Sequence, residues 1–142
     1  MEAEGNPGLD GKANGGTRVI ISKRDGWWGT LAVKNNSRSR QAFKVKSSNN
    51  ALFGFTVVYG VLEAGEGSTI GAHYRGEQDS RRPADDSHHI SIHVISAPRY
   101  ASARGVWMVH HGPPNGVLRA KIRFDEEDVE TTTTSAGRRE RD

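Results

Sequence analysis

The chain of 142 residues contains no cysteine, and none of its apolar runs approaches the length needed to span a bilayer. Without cysteine it can form neither a disulfide bond nor a thiolate nucleophile nor a cysteine-ligated metal site. The first residues lack a basic segment followed by an apolar stretch, so no secretory signal is indicated. We therefore expect a soluble, cytoplasmic protein with no membrane insertion.

An excess of charge of one sign is also missing. Lysine and arginine total 20 and the acidic residues 17, for a formal net charge of +3. The two arginine pairs, Arg81-Arg82 and Arg138-Arg139, are too short to form a phosphate-binding patch. Nucleic acid is thus not an expected partner.

Apolar residues are scarce, at 34% of the chain with a mean hydropathy of −0.69, which suggests that part of the length is unfolded. Residues 1–16 contain five glycines and no apolar pattern, whereas the last residues are rich in threonine and charge. The sequence predicts a disordered N-terminal tail over 1–16 and one β domain over 17–125. It predicts a second disordered tail, charged and threonine-rich, over 126–142.

The clearest pattern in the chain is an alternation of period two. In residues 42–48 (AFKVKSS), Phe43 and Val45 alternate with Lys44 and Lys46, which places the apolar and the basic side chains on opposite faces of a strand. The same period recurs in residues 88–96 (HHISIHVIS) and 117–124 (VLRAKIRF).

Seven or eight such short strands follow one another, with turns about every ten residues, and no segment has apolar residues at helical spacing. This organisation predicts an all-β sandwich. Residues 105–110 (GVWMVH) are predicted as a short edge strand, and the Ala-Ser-Ala segment before them as one helical turn at most.

Three motifs in residues 36–65 carry a resemblance to a known family. They are Asn36-Ser37, the strand from Phe43 to Ser48, and the corner from Gly60 to Gly65 (GVLEAG). Together they resemble the major sperm protein (MSP) domain, closest to its small nematode sperm-specific members and more distantly to VAP-type domains. The resemblance implies a seven-stranded immunoglobulin-like sandwich of the MSP/PapD-like kind, without enzymatic activity.

The family has two roles, self-assembly in the sperm cytoskeleton and, in VAP proteins, docking of acidic peptides. His89 and Ser91 stand where VAP-type domains have lysine and methionine, which weakens both the charge and the apolar floor. The partner-binding residues that the resemblance implies are Lys44, Lys46, Ser47, Ser48, His89 and Lys121.

Other chemistries have weaker support. His89 and His93 share a strand face but lie too far apart to chelate a metal by themselves, and the glycine-rich GEGSTIG segment (65–71) precedes a strand rather than a helix. No nucleophile motif is present, so an enzyme is disfavoured. Two plainer interpretations stay open: a solvated strand face for Lys44 and Lys46, and a solvated tail for the acidic residues 125–130.

We predict a non-enzymatic MSP-like domain, without metal or cofactor, that mediates protein–protein interaction in a cytoskeletal setting such as nematode sperm motility. The expected partners are other MSP-type proteins or a second copy of the chain as a homo-oligomer. The alternative is a VAP-like receptor that docks acidic-tract peptides on a basic strand ridge.

Overall fold

The structure, a computed structural model, describes residues 1–77 and 80–127. These residues form strands, one short 3-10 turn at Lys23–Asp25 and one α-helix, α1, at Ala103–Val109. The strands are β1 (Glu2–Gly5), β2 (Leu9–Ala13), β3 (Arg18–Ser22), β4 (Trp28–Asn35), β5 (Gln41–Ser47), β6 (Phe53–Phe55), β7 (Tyr59–Leu62), β8 (Gly67–Tyr74), β9 (His89–Ser96) and β10 (Gly116–Asp125).

The strands form one curled sheet whose two halves face each other. One half is ordered β6-β8-β4, the other β10-β9-β5-β7, and β3 joins them. β3 runs parallel to β10, and its last residue, Ser22, pairs with Trp28 at the start of β4. The all-β prediction is confirmed. The strand count exceeds seven because β1 and β2 are added at the N-terminus and because the segment 53–62 passes from one half to the other, with β6 paired to β8 and β7 paired to β5.

A single core lies between the two halves and is filled by alternate residues of each strand. Phe43 is 2% exposed on β5, Leu31 1% on β4 and Ile92 0% on β9, and all three belong to one cluster. Their sequence neighbours point away from this core, as period two requires. The alternation read from the sequence therefore decides which side chains remain for other roles.

The N-terminal residues differ from the prediction of a disordered tail over 1–16, which is wrong for β1 and β2. β1 pairs antiparallel with β10, and β2 pairs antiparallel with β4. Leu9 and Ala13 are buried in the core. The sequence signal is weak because β1 is held by backbone hydrogen bonds, which need no apolar side chains. Residues 128–142 lie outside the described part of the chain, so the tail over 126–142 stays a prediction.

The helix α1 replaces the edge strand predicted over 105–110. The Ser102 side chain caps it by accepting a hydrogen bond of 3.1 Å from the Gly105 backbone N–H. Ala103 packs in a small cluster with Ala42 and Ile95, on the side of β5 and β9 opposite the main core. Packing on this ready-made apolar surface outweighs the β-branched residues that favoured a strand. Within residues 1–77 and 80–127, no helix is long and apolar enough to cross a membrane.

Candidate protein-docking face

Three adjacent strands bring basic and imidazole side chains to one outer surface. In the pairing of β5 with β9, Lys44 lies opposite His93 and Lys46 opposite Ser91. In the pairing of β9 with β10, Ser91 lies opposite Arg119 and His89 opposite Lys121. We call this surface the basic face; its residues are Lys44, Lys46, His89, Ser91, His93, Arg119 and Lys121.

The lysines of the basic face are available to a partner. Lys46 and Lys121 are exposed and Lys44 is half-buried, with its Nζ 5.5 Å from the centroid of the Tyr59 ring. Among the described residues, no carboxylate lies within ion-pair distance of these three lysines. Their charges are therefore uncompensated by short-range pairs and can attract an anionic group.

The two histidines add little charge near neutral pH. Burial lowers the pKa of His93 from its usual value, and the nearby Lys46, Arg119 and Lys44 lower it further. The pKa of His89 is lowered mainly by burial and then by Arg119. Both imidazoles are thus neutral hydrogen-bonding groups, and lysine and arginine supply the positive charge.

Acidic side chains border the basic face on its β10 side. Arg119 is 3.4 Å from a Glu4 carboxylate oxygen, with Glu4 on β1. Asp86 accepts hydrogen bonds from Arg123 and Arg18, and these bonds lower its pKa from 3.8 to about 2. A cleft of about 170 Å³ lies there, lined by Met1, Glu2, Thr17, Arg18, Asp86, His89, Arg119 and Lys121.

The two serines predicted as partner-binding residues form hydrogen bonds with other residues of the chain. The Ser47 hydroxyl and backbone N–H both donate to the Asn50 side-chain oxygen, at 3.0 Å each. Ser47 also shares the core-side parity of Phe43 and Val45 rather than that of the lysines. The Ser48 hydroxyl is 2.8 Å from His88 Nδ1 and accepts a hydrogen bond from the His89 backbone N–H.

The structure thus brings Lys44, Lys46, His89 and Lys121 onto one surface. Ser47 is the last residue of β5, and Ser48 follows it. Arg119 and His93 were missing from the predicted set. Both have a sequence signal, because Arg119 shares the parity of Lys121 and His93 that of His89. In residues 1–77 and 80–127, no three His, Asp or Glu side chains lie together as a metal site.

Comparison with known proteins identifies the family. The family model of the MSP (major sperm protein) domain matches residues 19–111. The chain belongs to the MSP domain family. The motifs at Asn36-Ser37, residues 43–48 and residues 60–65 all fall inside the matched range. The resemblance read from the sequence is therefore confirmed.

Solved structures support the same fold. SSP-19 of Caenorhabditis elegans, described as an MSP-domain protein like family member, is 20% identical with a TM-score of 0.57, over 69% of this chain and 85% of that one. WR4, a C. elegans MSP family member, is 26% identical with a TM-score of 0.54, over 66% and 79%. The periplasmic chaperone SfaE is 19% identical with a TM-score of 0.58, over 86% of this MSP domain chain and 59% of its own.

These neighbours are MSP and PapD-like domains, so the predicted immunoglobulin-like fold class is confirmed. No curated protein matches the chain.

Proposed function

We propose that this MSP domain is a non-catalytic module that docks an acidic segment of a protein partner on the basic face. The MSP domain is an immunoglobulin-like fold used in protein interactions, which gives the general class. One observation carries the finer proposal: Lys44, Lys46 and Lys121 stand on one surface of the sheet without a carboxylate partner among the described residues.

The spacing of the lysines suits an extended peptide. Lys44 and Lys46 are two residues apart on a strand, about 6.7 Å, which is also the distance between alternate side chains of an extended partner segment. Alternate Asp or Glu residues of such a segment could meet both ammonium groups in charge-assisted hydrogen bonds. The neutral imidazole of His93, which lies opposite Lys44 on β9, would add a hydrogen bond to the same partner segment.

The residue at the centre of the basic face limits the affinity of this docking. Ser91, opposite Lys46, is small and offers no apolar floor for an aromatic anchor. Binding therefore rests on charge, and its affinity falls as ionic strength rises. The partner is an acidic, extended segment recognised through its charge pattern, and the proposed setting is cytoplasmic.

A titration tests this proposal. We expect the double variant Lys44→Glu/Lys46→Glu to bind a fluorescein-labelled peptide carrying a tract of Glu and Asp about tenfold or more weakly than the unchanged chain, measured by fluorescence anisotropy at low salt. Lys12→Glu/Lys34→Glu is the matched control, because it makes the same change in net charge at two exposed strand lysines on β2 and β4, outside the basic face. If both variants lose equal affinity, or neither loses any, the basic face is not the docking site.

A cytoskeletal role in nematode sperm is the second candidate. Its support is the family itself, named for major sperm protein, together with the likeness to two C. elegans members. Self-assembly through sheet edges would use β6 or β7, which end the strand order of the described sheet. Light scattering at rising protein concentration tests it: growth of large particles supports assembly, and a monomer at all concentrations contradicts it.

A further inference from the structure

Exposed apolar side chains gather at the helix α1. Tyr100 is 91% exposed, Met108 75% and Val109 72%, and they are three of the five large hydrophobic residues exposed in the described chain. The other two, Trp28 at 39% and Val58 at 44%, are far less exposed. We call Tyr100, Met108 and Val109 the apolar tip; Tyr100 lies three residues before α1, and Met108 and Val109 are the last two residues of this helix, which is about 10 Å long.

The apolar tip is held in place by the rest of the domain. Beneath it, Ala103 is buried, and Val106 and Trp107 pack against the small cluster on β5 and β9. The Arg40 guanidinium donates a hydrogen bond to the Pro98 carbonyl at the start of the segment. Because its lower side is already packed and anchored, the helix presents its outer apolar residues to solvent as a fixed feature.

The backbone at Tyr100 supports a specific role for this residue. Its φ of 68° lies in the left-handed region, which is costly for a side chain other than glycine. This conformation coincides with the highest exposure among the large hydrophobic residues. The exposed ring contributes almost nothing to the core, and residues other than glycine in this backbone region cluster at binding sites.

The surroundings of the tip are positively charged. Residues 87–124 contain no aspartate or glutamate, whereas Arg99 and Arg104 are both exposed. The Arg99 guanidinium lies 5.9 Å from the centroid of the Tyr100 ring. The nearby Glu63 is paired with Arg40 at 2.8 Å, so it does not cancel these arginines.

The helix α1 packs on the same face of the sheet that carries the basic face. The small cluster beneath α1 includes Ala42 and Ile95. Ala42 shares the strand parity of Lys44, and Ile95 shares that of His93. A partner that covers the tip can therefore also meet the cations of β5 and β10.

We propose that the apolar tip docks this domain peripherally on an anionic lipid surface. Exposed apolar side chains with Arg99 and Arg104 nearby in the sequence fit the boundary between headgroups and acyl chains, where apolar side chains are buried and cations meet lipid phosphates. A protein partner would need a cavity shaped to three separate side chains, whereas a fluid lipid surface adapts to them. The docking is shallow and uses side chains of α1 and its flanks.

Vesicle sedimentation tests the proposal with the whole chain. We expect binding to vesicles of phosphatidylcholine and phosphatidylserine, and much weaker binding to vesicles of phosphatidylcholine alone. Val109→Ser should lower the partition coefficient about fivefold, because it removes an apolar side chain from the contact. Val58→Ser is the matched control, since Val58 is exposed but lies outside the tip, and it should bind as the unchanged chain does.

A second pair of variants tests the charge. Arg104→Glu should weaken binding to the anionic vesicles, whereas Arg24→Glu, an exposed arginine in the 3-10 turn, should leave it nearly unchanged. The proposal is overturned if the chain does not bind anionic vesicles or if Val109→Ser binds as well as Val58→Ser. It is also overturned if Val109→Ser abolishes a dimer seen by size-exclusion chromatography while leaving vesicle binding unchanged, since the tip would then contact a second copy.

Discussion

The two halves of the sheet share one core but differ on their outer surfaces. On β4 the exposed residues are Trp28, Thr30, Ala32 and Lys34, so the outer face of this strand carries a single charged side chain. On β5, β9 and β10 the corresponding surface holds Lys44, Lys46, Arg119 and Lys121. The outer surface of β5, β9 and β10 therefore carries more basic side chains than that of β4.

This difference separates what folds the domain from what the domain offers to partners. Most inward residues of both halves are apolar and buried, because they fill the same core. Outward residues are not constrained by that packing, so their chemistry is open to selection for binding. The proposed binding site lies in the half that carries the basic face. The control variants for peptide binding are taken from the other half.

The largest expected effect comes from removing the core that both halves share. Phe43→Ala should lower the free energy of unfolding by about 3–5 kcal/mol, since it deletes a ring that is 2% exposed. Lys44→Ala, its neighbour on β5, should change it by less than about 0.5 kcal/mol. Urea denaturation followed by tryptophan fluorescence measures both. Equal losses for the two variants would contradict the assignment of the two faces of β5.

A smaller loss is expected from cutting a polar tie between the halves. Asn35 on β4 is 0% exposed, and its side-chain N–H groups donate to the Leu62 carbonyl on β7 at 2.9 Å and to the Ser39 carbonyl at 2.8 Å. Its side-chain oxygen accepts from the Ser37 backbone N–H. Asn35→Ala should cost about 2–3 kcal/mol because it leaves buried groups without partners.

The matched control for this tie is Asn36→Ala, since Asn36 is the exposed neighbour of Asn35. It should cost less than about 0.5 kcal/mol in the same urea titration. A cost for Asn35→Ala as small as that of Asn36→Ala would show that the Asn35 side chain does not help to hold the two halves together.

The sequence predicts well which face of a strand each side chain of the basic half lies on, because alternation decides this. It predicts poorly the elements that form only through pairing or packing with distant parts of the chain. The two faces of β5 follow from the period of two alone, because the apolar Phe43 and Val45 alternate with Lys44 and Lys46. The same rule places Arg119 beside Lys121, a step that the family pattern alone does not supply. It also places Ser47 on the core side, whereas the family pattern groups this serine with the lysines.

Two elements carry no such local rule. β1 (EAEG) becomes a strand because β10 offers an edge to pair with, and pairing of backbone groups leaves no mark in side-chain periodicity. The helix α1 depends on the apolar surface formed by β5 and β9, residues distant in sequence. Local propensity favours a strand there, and tertiary packing overrides it.

The smallest expected effect concerns Asp86, whose carboxylate pairs with two arginines beside the basic face. Its carboxylate accepts from Arg18 at 2.9 Å and from Arg123 at 3.1 Å. Asp86→Asn frees both arginines, so the acidic peptide should bind about two- to threefold more tightly at low salt. Asparagine tolerates the φ of 65° at this position, which keeps the backbone unchanged. Asp10→Asn on β2 is the matched control.

The same variant should also change the pH dependence of the folding stability. The pKa of Asp86 is about 2 in the folded chain against 3.8 ordinarily, so its contribution to stability is present above pH 3.8 and is lost as pH falls toward 2. The unchanged chain should lose stability more steeply than Asp86→Asn over that interval, as measured by urea titrations at successive pH values. Parallel slopes would mean that the arginines do not hold this carboxylate, and the tighter peptide binding would then need another cause.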